Sequence, residues 1–100
     1  MRYDKLVRDR IPEIIKEKGG KFTSHIANEQ EYWQKLKEKL QEEVDEFKQG
    51  ENREEVADIL EVLEAICDFK GWDKSELQIL KDKKAESRGG FKERIILEES

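Results

Sequence analysis

Two long segments with helical spacing of apolar residues constrain the fold of this chain most. Each opens with an asparagine that has a glutamate three positions later, a capping-box pattern, and each is followed by a glycine. The first covers residues 28–47, before Gly50, and the second covers residues 52–70, before Gly71. Because so short a connection separates them, we expect two long helices that form an antiparallel hairpin.

Shorter elements flank this hairpin. Pro12 is suited to a first helical turn and predicts a brief helix from Pro12 to Lys18 that stops at two glycines. A capping pattern at Asp73 predicts a fourth helix that ends near Arg88. Residues 21–27 mix β-branched and aromatic residues without helical spacing, and we expect a short strand or extended segment there and again over residues 91–99.

The hairpin helices each carry a wide apolar face, and we expect both faces to be core. A single domain of 100 residues buries only about 60 to 65% of the surface that its unfolded chain exposes. We therefore predict one mainly all-α domain over residues 1–100 that completes a four-helix-type bundle as a homodimer or homotetramer. The predicted core residues are Trp33, Leu36, Leu40, Val44, Phe47, Val56, Ile59, Leu60, Leu63, Ile66 and Cys67.

Composition excludes several classes of protein. Charged residues make up 45% of the chain, and no apolar run approaches the roughly 20 residues that span a bilayer. The first residues lack the apolar stretch of a signal peptide, so we expect a cytoplasmic protein without membrane contact. The net charge of −5 argues against binding to duplex nucleic acid.

With a single cysteine, Cys67, and a single histidine, His25, a bound metal would need carboxylate ligands, which favours Mg²⁺ or Mn²⁺.

Four acids of the hairpin are predicted to converge. Glu43 and Glu46 lie roughly 60° and 120° from the centre of the first apolar face, and Glu55 and Asp58 repeat these offsets on the second. Equal offsets of one hand bring side chains to the same flank of an antiparallel helix pair. Glu46 and Glu55 are also about equally far from Gly50 along their helices, as are Glu43 and Asp58 one turn further out. The spacing therefore places four carboxylates together.

Converging carboxylates repel one another, and a divalent cation removes that cost. Such a group supplies hard oxygen ligands for Mg²⁺, which completes its shell with waters and substrate phosphate oxygens. The alternative is a solvated acidic face, since one quarter of the chain is acidic. Three further glutamates point away from the apolar faces, and we expect them to be solvated: Glu42, Glu54 and Glu61.

Basic residues offer candidate phosphate contacts. Lys84 and Arg88 are four positions apart, hence on one helical face, and two glycines follow them. Alternatively, these cations only complement the dipole of their helix. In the opening segment Arg8 is the candidate for a phosphate contact, whereas we expect Lys5 and Arg10 only to make the surface soluble. We interpret His25 as a structural or surface residue, and Trp33 and Phe47 as core or subunit interface.

Four segments resemble a known family. Residues 40–46 and 54–60 look like the paired Glu-x-x-Glu and Glu-x-x-Asp motifs of the MazG-type all-α nucleoside triphosphate pyrophosphatases. Residues 3–15 and 84–91 are similar to the flanking segments of a small MazG-like subgroup described as phosphoribosyl-ATP pyrophosphohydrolase-like. The gap between the two acidic pairs is shorter here than is usual for that family, so the substrate need not be a standard nucleotide.

The resemblance implies a Mg²⁺-dependent pyrophosphohydrolase that cleaves a nucleotide to a monophosphate and pyrophosphate, in an assembly of two or more subunits. Lys84 and Arg88 would neutralise phosphate charge. A non-catalytic helical module that binds a nucleotide or a protein is the alternative. The metal ligands implied by the resemblance are Glu43, Glu46, Glu55 and Asp58.

Overall fold

The computed structural model describes residues 4–100, and this part of the chain contains four α-helices. Met1, Arg2 and Tyr3 of the opening segment lie outside the described residues. The fold is all-α, as predicted, and residues 4–100 contain no β-strand. In chain order the helices are α1 (Ile11–Glu17), α2 (Glu29–Gly50), α3 (Arg53–Lys70) and α4 (Lys74–Arg88).

The hairpin helices begin as the capping patterns predict. The Asn28 side chain accepts a hydrogen bond from the backbone N–H of Glu31 at 2.8 Å, at the start of α2. Asn52 accepts one from the N–H of Glu55 at 3.1 Å, at the start of α3. Each contact satisfies a backbone donor that the first helical turn leaves free.

The end of α2 differs from the prediction. The helix continues past Phe47 and includes Gly50, and the next residue, Glu51, takes the left-handed conformation with φ of 52°. Gly71, by contrast, ends α3 with φ of 71°, as expected of a C-terminal glycine. The turn between α2 and α3 therefore contains only Glu51 and Asn52.

The strands considered for residues 21–27 and 91–99 do not form. Both segments are irregular, and residues 91–99 are exposed throughout. A strand requires a neighbour with which to exchange backbone hydrogen bonds, and no backbone hydrogen bond joins either segment to another part of residues 4–100.

The core lies between α2 and α3, which are the only two helices among those described that pack along each other. Leu36 of α2 is 1% exposed, and Val62 and Cys67 of α3 are also buried. At the end of the hairpin far from the Glu51 turn, the Trp33 ring stacks on Phe69 with centroids 5.6 Å apart. This packing fixes the register of the two helices.

The predicted core face of α3 is only partly correct. Val62, which that prediction omitted, is buried, whereas Val56, Leu60 and Leu63 are exposed in the single chain, Leu60 to 60%. Phe47 of α2 is also exposed. The side of α3 that faces away from α2 thus carries an apolar row that residues 4–100 leave uncovered.

Helix α4 packs along no other described helix, and all of its residues are exposed. An ion pair between Lys74 and Glu64 joins its first turn to α3.

The radius of gyration is 17.8 Å, against about 13 Å for a compact domain of this length. Within the described residues, no helix is both long enough and apolar enough to cross a membrane.

Candidate metal centre

Four carboxylates meet on one flank of the hairpin, close to its turn. Glu43 and Glu46 extend from α2, and Glu55 and Asp58 extend from α3. One oxygen of each residue can be chosen so that all four lie within 4.8 Å of one another. The predicted convergence of these side chains is therefore present, and we refer to them as the carboxylate cluster.

The short turn positions the α3 members of the cluster. Asn52 binds the backbone N–H of Glu55, which fixes where α3 starts relative to the end of α2. Gly50 lies so close to Glu55 that a Cβ atom at Gly50 would be 3.1 Å from Glu55 Oε1 and 3.3 Å from Asn52 Nδ2. The absence of a side chain at Gly50 therefore leaves room for the Glu55 carboxylate.

Glu43 is the buried member of the cluster, at 6% exposure. Its Oε1 accepts a contact of 3.1 Å from the ammonium of Lys39, one turn earlier in α2. Its Oε2 is buried and accepts no hydrogen bond from any described residue. A buried carboxylate oxygen without a donor is costly, and a cation bound there would compensate it.

Lys39 also contacts Glu42 Oε2 at 3.4 Å. Burial of its ammonium opposes the positive charge, but Glu43 and Glu42 together outweigh burial and raise the pKa of Lys39. Lys39 is therefore charged at neutral pH. Glu42, which was expected to be solvated, is half-buried and paired, while Glu54 and Glu61 are exposed as predicted.

Glu46 lies at the exposed edge of the cluster. The adjacent Glu43 carboxylate favours the protonated form of Glu46 and so raises the pKa of Glu46 above its ordinary value. Burial and the charges of Glu42 and Glu55 act in the same direction. The carboxylates thus repel each other as the sequence predicts.

The opening segment lies against this flank of the hairpin. Arg8 Nη2 donates to Asp58 Oδ1 at 2.8 Å, and Lys5 Nζ lies 3.3 Å from Glu42 Oε1. Arg8 therefore reaches the carboxylate cluster, and Lys5 has a specific partner on α2. Arg10 pairs instead with Glu13, three residues along, away from the cluster.

The other predicted basic residues do not reach the cluster in this chain. Lys84 and Arg88 lie on α4, which does not pack along the hairpin, and both side chains are exposed. His25 is a surface residue, as expected, with Nε2 3.0 Å from a carboxylate oxygen of Glu31.

Sequence reasoning missed Lys39 and its link to Glu42. The signal was present, because lysine and glutamate residues three or four positions apart in a helix are neighbours. Such pairs are frequent in a chain with 20 basic and 25 acidic residues, so the spacing alone did not single out this pair.

The donors of the cluster fit a hard divalent cation. All four residues offer carboxylate oxygens, which suit Mg²⁺ and Mn²⁺, and the unpartnered Glu43 Oε2 is an oxygen that such an ion could bind. No sulfur or imidazole ligand is near, since Cys67 is in the hairpin core and His25 is bound to Glu31.

Comparisons with known proteins give little further information. The chain is 43% identical over 49 residues to an uncharacterized protein of Mycolicibacterium smegmatis (strain ATCC 700084 / mc(2)155), a match that covers 49% of this chain and 50% of that protein. The chain thus spans about half the length of the relative it matches. No protein-family profile matches the chain. No solved structure matches it.

Proposed function

We propose that this protein is a Mg²⁺-dependent nucleotide pyrophosphohydrolase, which cleaves a nucleoside triphosphate or a related nucleotide to a monophosphate and pyrophosphate. The observation that carries the proposal is the carboxylate cluster, with its buried and unpartnered Glu43 Oε2. The resemblance of residues 40–46, 54–60 and 84–91 to MazG-type pyrophosphatases supports the same reaction.

In this proposal Glu43, Glu46, Glu55 and Asp58 hold the divalent cation. When bound, Mg²⁺ supplies Lewis acidity, lowers the pKa of a bound water and neutralises phosphate oxygens. The protein needs no covalent nucleophile, because positioning and electrostatic stabilisation account for most of the catalysis of phosphoryl transfer.

Arg8 is the basic residue best placed to contact substrate. It uses Nη2 on Asp58, and a guanidinium has five N–H donors in a planar fork, so further donors remain for a phosphate oxygen beside the cluster. This would orient the phosphate chain next to the carboxylates and stabilise negative charge as the bond between the α- and β-phosphates breaks.

Lys84 and Arg88 would act on phosphate only after α4 is brought to a cluster. We propose that the protein is a homodimer or homotetramer in which the exposed apolar residues of α3 and α4 become buried. The hairpin, residues 29–70, is strongly acidic, whereas residues 74–88 are net basic, so α4 of one copy is electrostatically suited to the hairpin of another. A nucleotide substrate agrees with a cytoplasmic location.

Turnover tests the proposed function. Ribonucleoside and deoxyribonucleoside triphosphates and phosphoribosyl-ATP would be assayed for pyrophosphate release with Mg²⁺. We expect release with at least one of them, and a decrease of a hundredfold or more in Asp58→Asn, the order of loss typical of one transition-state contact. Glu54→Gln, an exposed change outside the cluster, is the matched control. Binding of a nucleotide without any pyrophosphate release would instead favour a non-catalytic module.

A further inference from the structure

Lys39 differs from Lys35, the other lysine of α2 that forms an ion pair with a described residue. Its side chain is only 17% exposed, and its ammonium lies between two carboxylates, 3.1 Å from Glu43 Oε1 and 3.4 Å from Glu42 Oε2. Lys35, one turn earlier, is more exposed, and Glu38 is its one ion-pair partner among residues 4–100. Burial of a lysine requires compensation, and here Glu43 provides the shorter contact.

The order of the pair along the helix does not suggest a role in helix stability. A glutamate that precedes a lysine by four residues stabilises a helix better than the reverse order, and Lys39 precedes Glu43. Helix stability is therefore the weaker explanation for the burial of Lys39 against Glu43.

Lys39 approaches Glu43 from outside the carboxylate cluster. It forms no ion pair with Glu46, Glu55 or Asp58 among the described residues, and Glu42, its second partner, is not a member of the cluster. Lys39 and Glu42 line a small cavity together with Lys35 and Glu38 of α2 and with Lys5 and Leu6 of the opening segment. Among the described residues, the ammonium thus pairs with Glu43 and with no other member of the carboxylate cluster.

The two oxygens of Glu43 consequently have different surroundings. Oε1 is bound by Lys39, and Oε2 is buried and free of any donor from a described residue. A contact to one oxygen restricts rotation of the carboxylate and reduces the conformational freedom lost when the other oxygen binds a cation.

We propose that Lys39 is a positioning residue, which holds the Glu43 carboxylate so that Oε2 is available to a divalent cation. The proposal rests on the proposed function, because it assumes that the cluster binds such an ion. It assigns to Lys39 the task that hydrogen-bonding partners of metal ligands perform in other metal sites.

The test is a calorimetric titration of Mn²⁺ into the protein and its variants, each shown by circular dichroism to be folded. Lys39→Met removes the charge and the donors but keeps the length of the side chain. We expect it to weaken Mn²⁺ binding by 10- to 100-fold, as is usual when a partner of a metal ligand is lost. Lys35→Met, a change of the same kind one turn away, should leave the affinity within about twofold of wild type.

A second variant covers the case in which Lys39→Met does not fold, and loss of Mn²⁺ binding in folded Lys39→Arg would also overturn the proposal. Lys39→Arg keeps the positive charge and N–H donors, so we expect it to retain most of the Mn²⁺ affinity. If Lys39 were only a counter-charge that competes with the metal, Lys39→Met would bind Mn²⁺ more tightly than wild type. Equal or tighter binding by Lys39→Met would overturn the proposal.

The proposed function can fail separately in the same experiment. If wild-type protein binds no Mn²⁺, the metal site itself is refuted, and the role of Lys39 is refuted with it. If wild type and Lys39→Met bind Mn²⁺ equally, the metal site stands and only the role of Lys39 is lost.

Discussion

Glu46 is the exposed carboxylate of the cluster, and its protonation reports on its neighbours. Glu43 raises the pKa of Glu46 above its ordinary value of 4.5, so the folded protein keeps a proton that the unfolded chain has already released. Stability must then fall as the pH rises from that ordinary value through the raised pKa, because the folded state binds more protons across this window.

We predict that, with a chelator present, Glu46→Gln gains stability relative to wild type as the pH rises from acidic to neutral. The substitution removes the charge that the other carboxylates repel. Urea unfolding at a series of pH values measures the difference, with Glu54→Gln as the exposed control. Parallel stability profiles for wild type and Glu46→Gln would show that the cluster imposes no repulsion on this residue.

Substitution of Arg88 can distinguish a role in phosphate contact from a role in helix stability. A cation in the last turn of an exposed helix is worth well under about 1 kcal/mol, whereas a charge-assisted contact to a transferring phosphate is worth several times more. We predict that Arg88→Ala leaves the thermal midpoint nearly unchanged and lowers pyrophosphate release on the order of a hundredfold.

Lys84→Ala should be measured beside Arg88→Ala, since both residues lie on one face of α4. Circular dichroism establishes that the helix persists in each variant. Turnover that is unaltered in Arg88→Ala would remove this residue from the proposed substrate contacts.

At the scale of the helices, Asn52 connects the start of α3 to the cluster. Its side chain binds the N–H of Glu55, a cluster member. We predict that Asn52→Ala lowers the free energy of unfolding by about 1 kcal/mol, the usual cost of losing an N-cap. Urea unfolding measures this loss, and Asn52→Asp, which retains a capping oxygen, should lose much less. Equal stability of wild type and Asn52→Ala would contradict the capping role.

Helix starts could be predicted from the sequence better than helix ends. Asn28 and Asn52 act locally, through a backbone N–H three residues later, so a short pattern suffices. The end of α2 depends on where the turn needs a left-handed residue, and Glu51 rather than Gly50 takes that conformation. Strands in residues 21–27 and 91–99 could not be decided locally, because a strand depends on a distant partner.

The convergence of the four acids could also be predicted, because a hairpin with a two-residue turn relates its helices by simple geometry. Contacts of the opening segment were beyond this reasoning, since Arg8 and Asp58 are 50 residues apart in sequence. The buried face of α3 was only partly predicted for a related reason. Helical periodicity identifies an apolar row such as that of Leu60 and Leu63, but it does not say whether α2 or another partner covers it.

At the scale of the whole molecule, the single chain leaves apolar side chains of α3 and α4 exposed to solvent. Leu60 and Leu63 on α3 and Leu77 and Leu80 on α4 are all exposed, and α4 packs along no other described helix. A helix of 15 residues is marginal in water on its own. The protein is therefore predicted to be a homo-oligomer in which these residues are buried.

Light scattering at micromolar concentration should give the mass of at least two chains for wild-type protein. Leu60→Lys places a charge in the proposed interface and should shift the mass toward one chain, whereas Glu61→Lys, at the adjacent exposed position, should not. A wild-type mass of one chain would exclude a helical bundle formed by two or more copies. Lys84 and Arg88 of α4 would then not come close to the carboxylate cluster.

Binding of a divalent cation by the carboxylate cluster is the central claim, and calorimetric titration of Mg²⁺ or Mn²⁺ tests it most directly. We predict saturable binding to wild type that Glu43→Gln and Asp58→Asn each weaken by at least tenfold, because each removes a charged ligand oxygen. Glu54→Gln should bind as wild type does. Equal binding by wild type, Glu43→Gln and Asp58→Asn would contradict the claim.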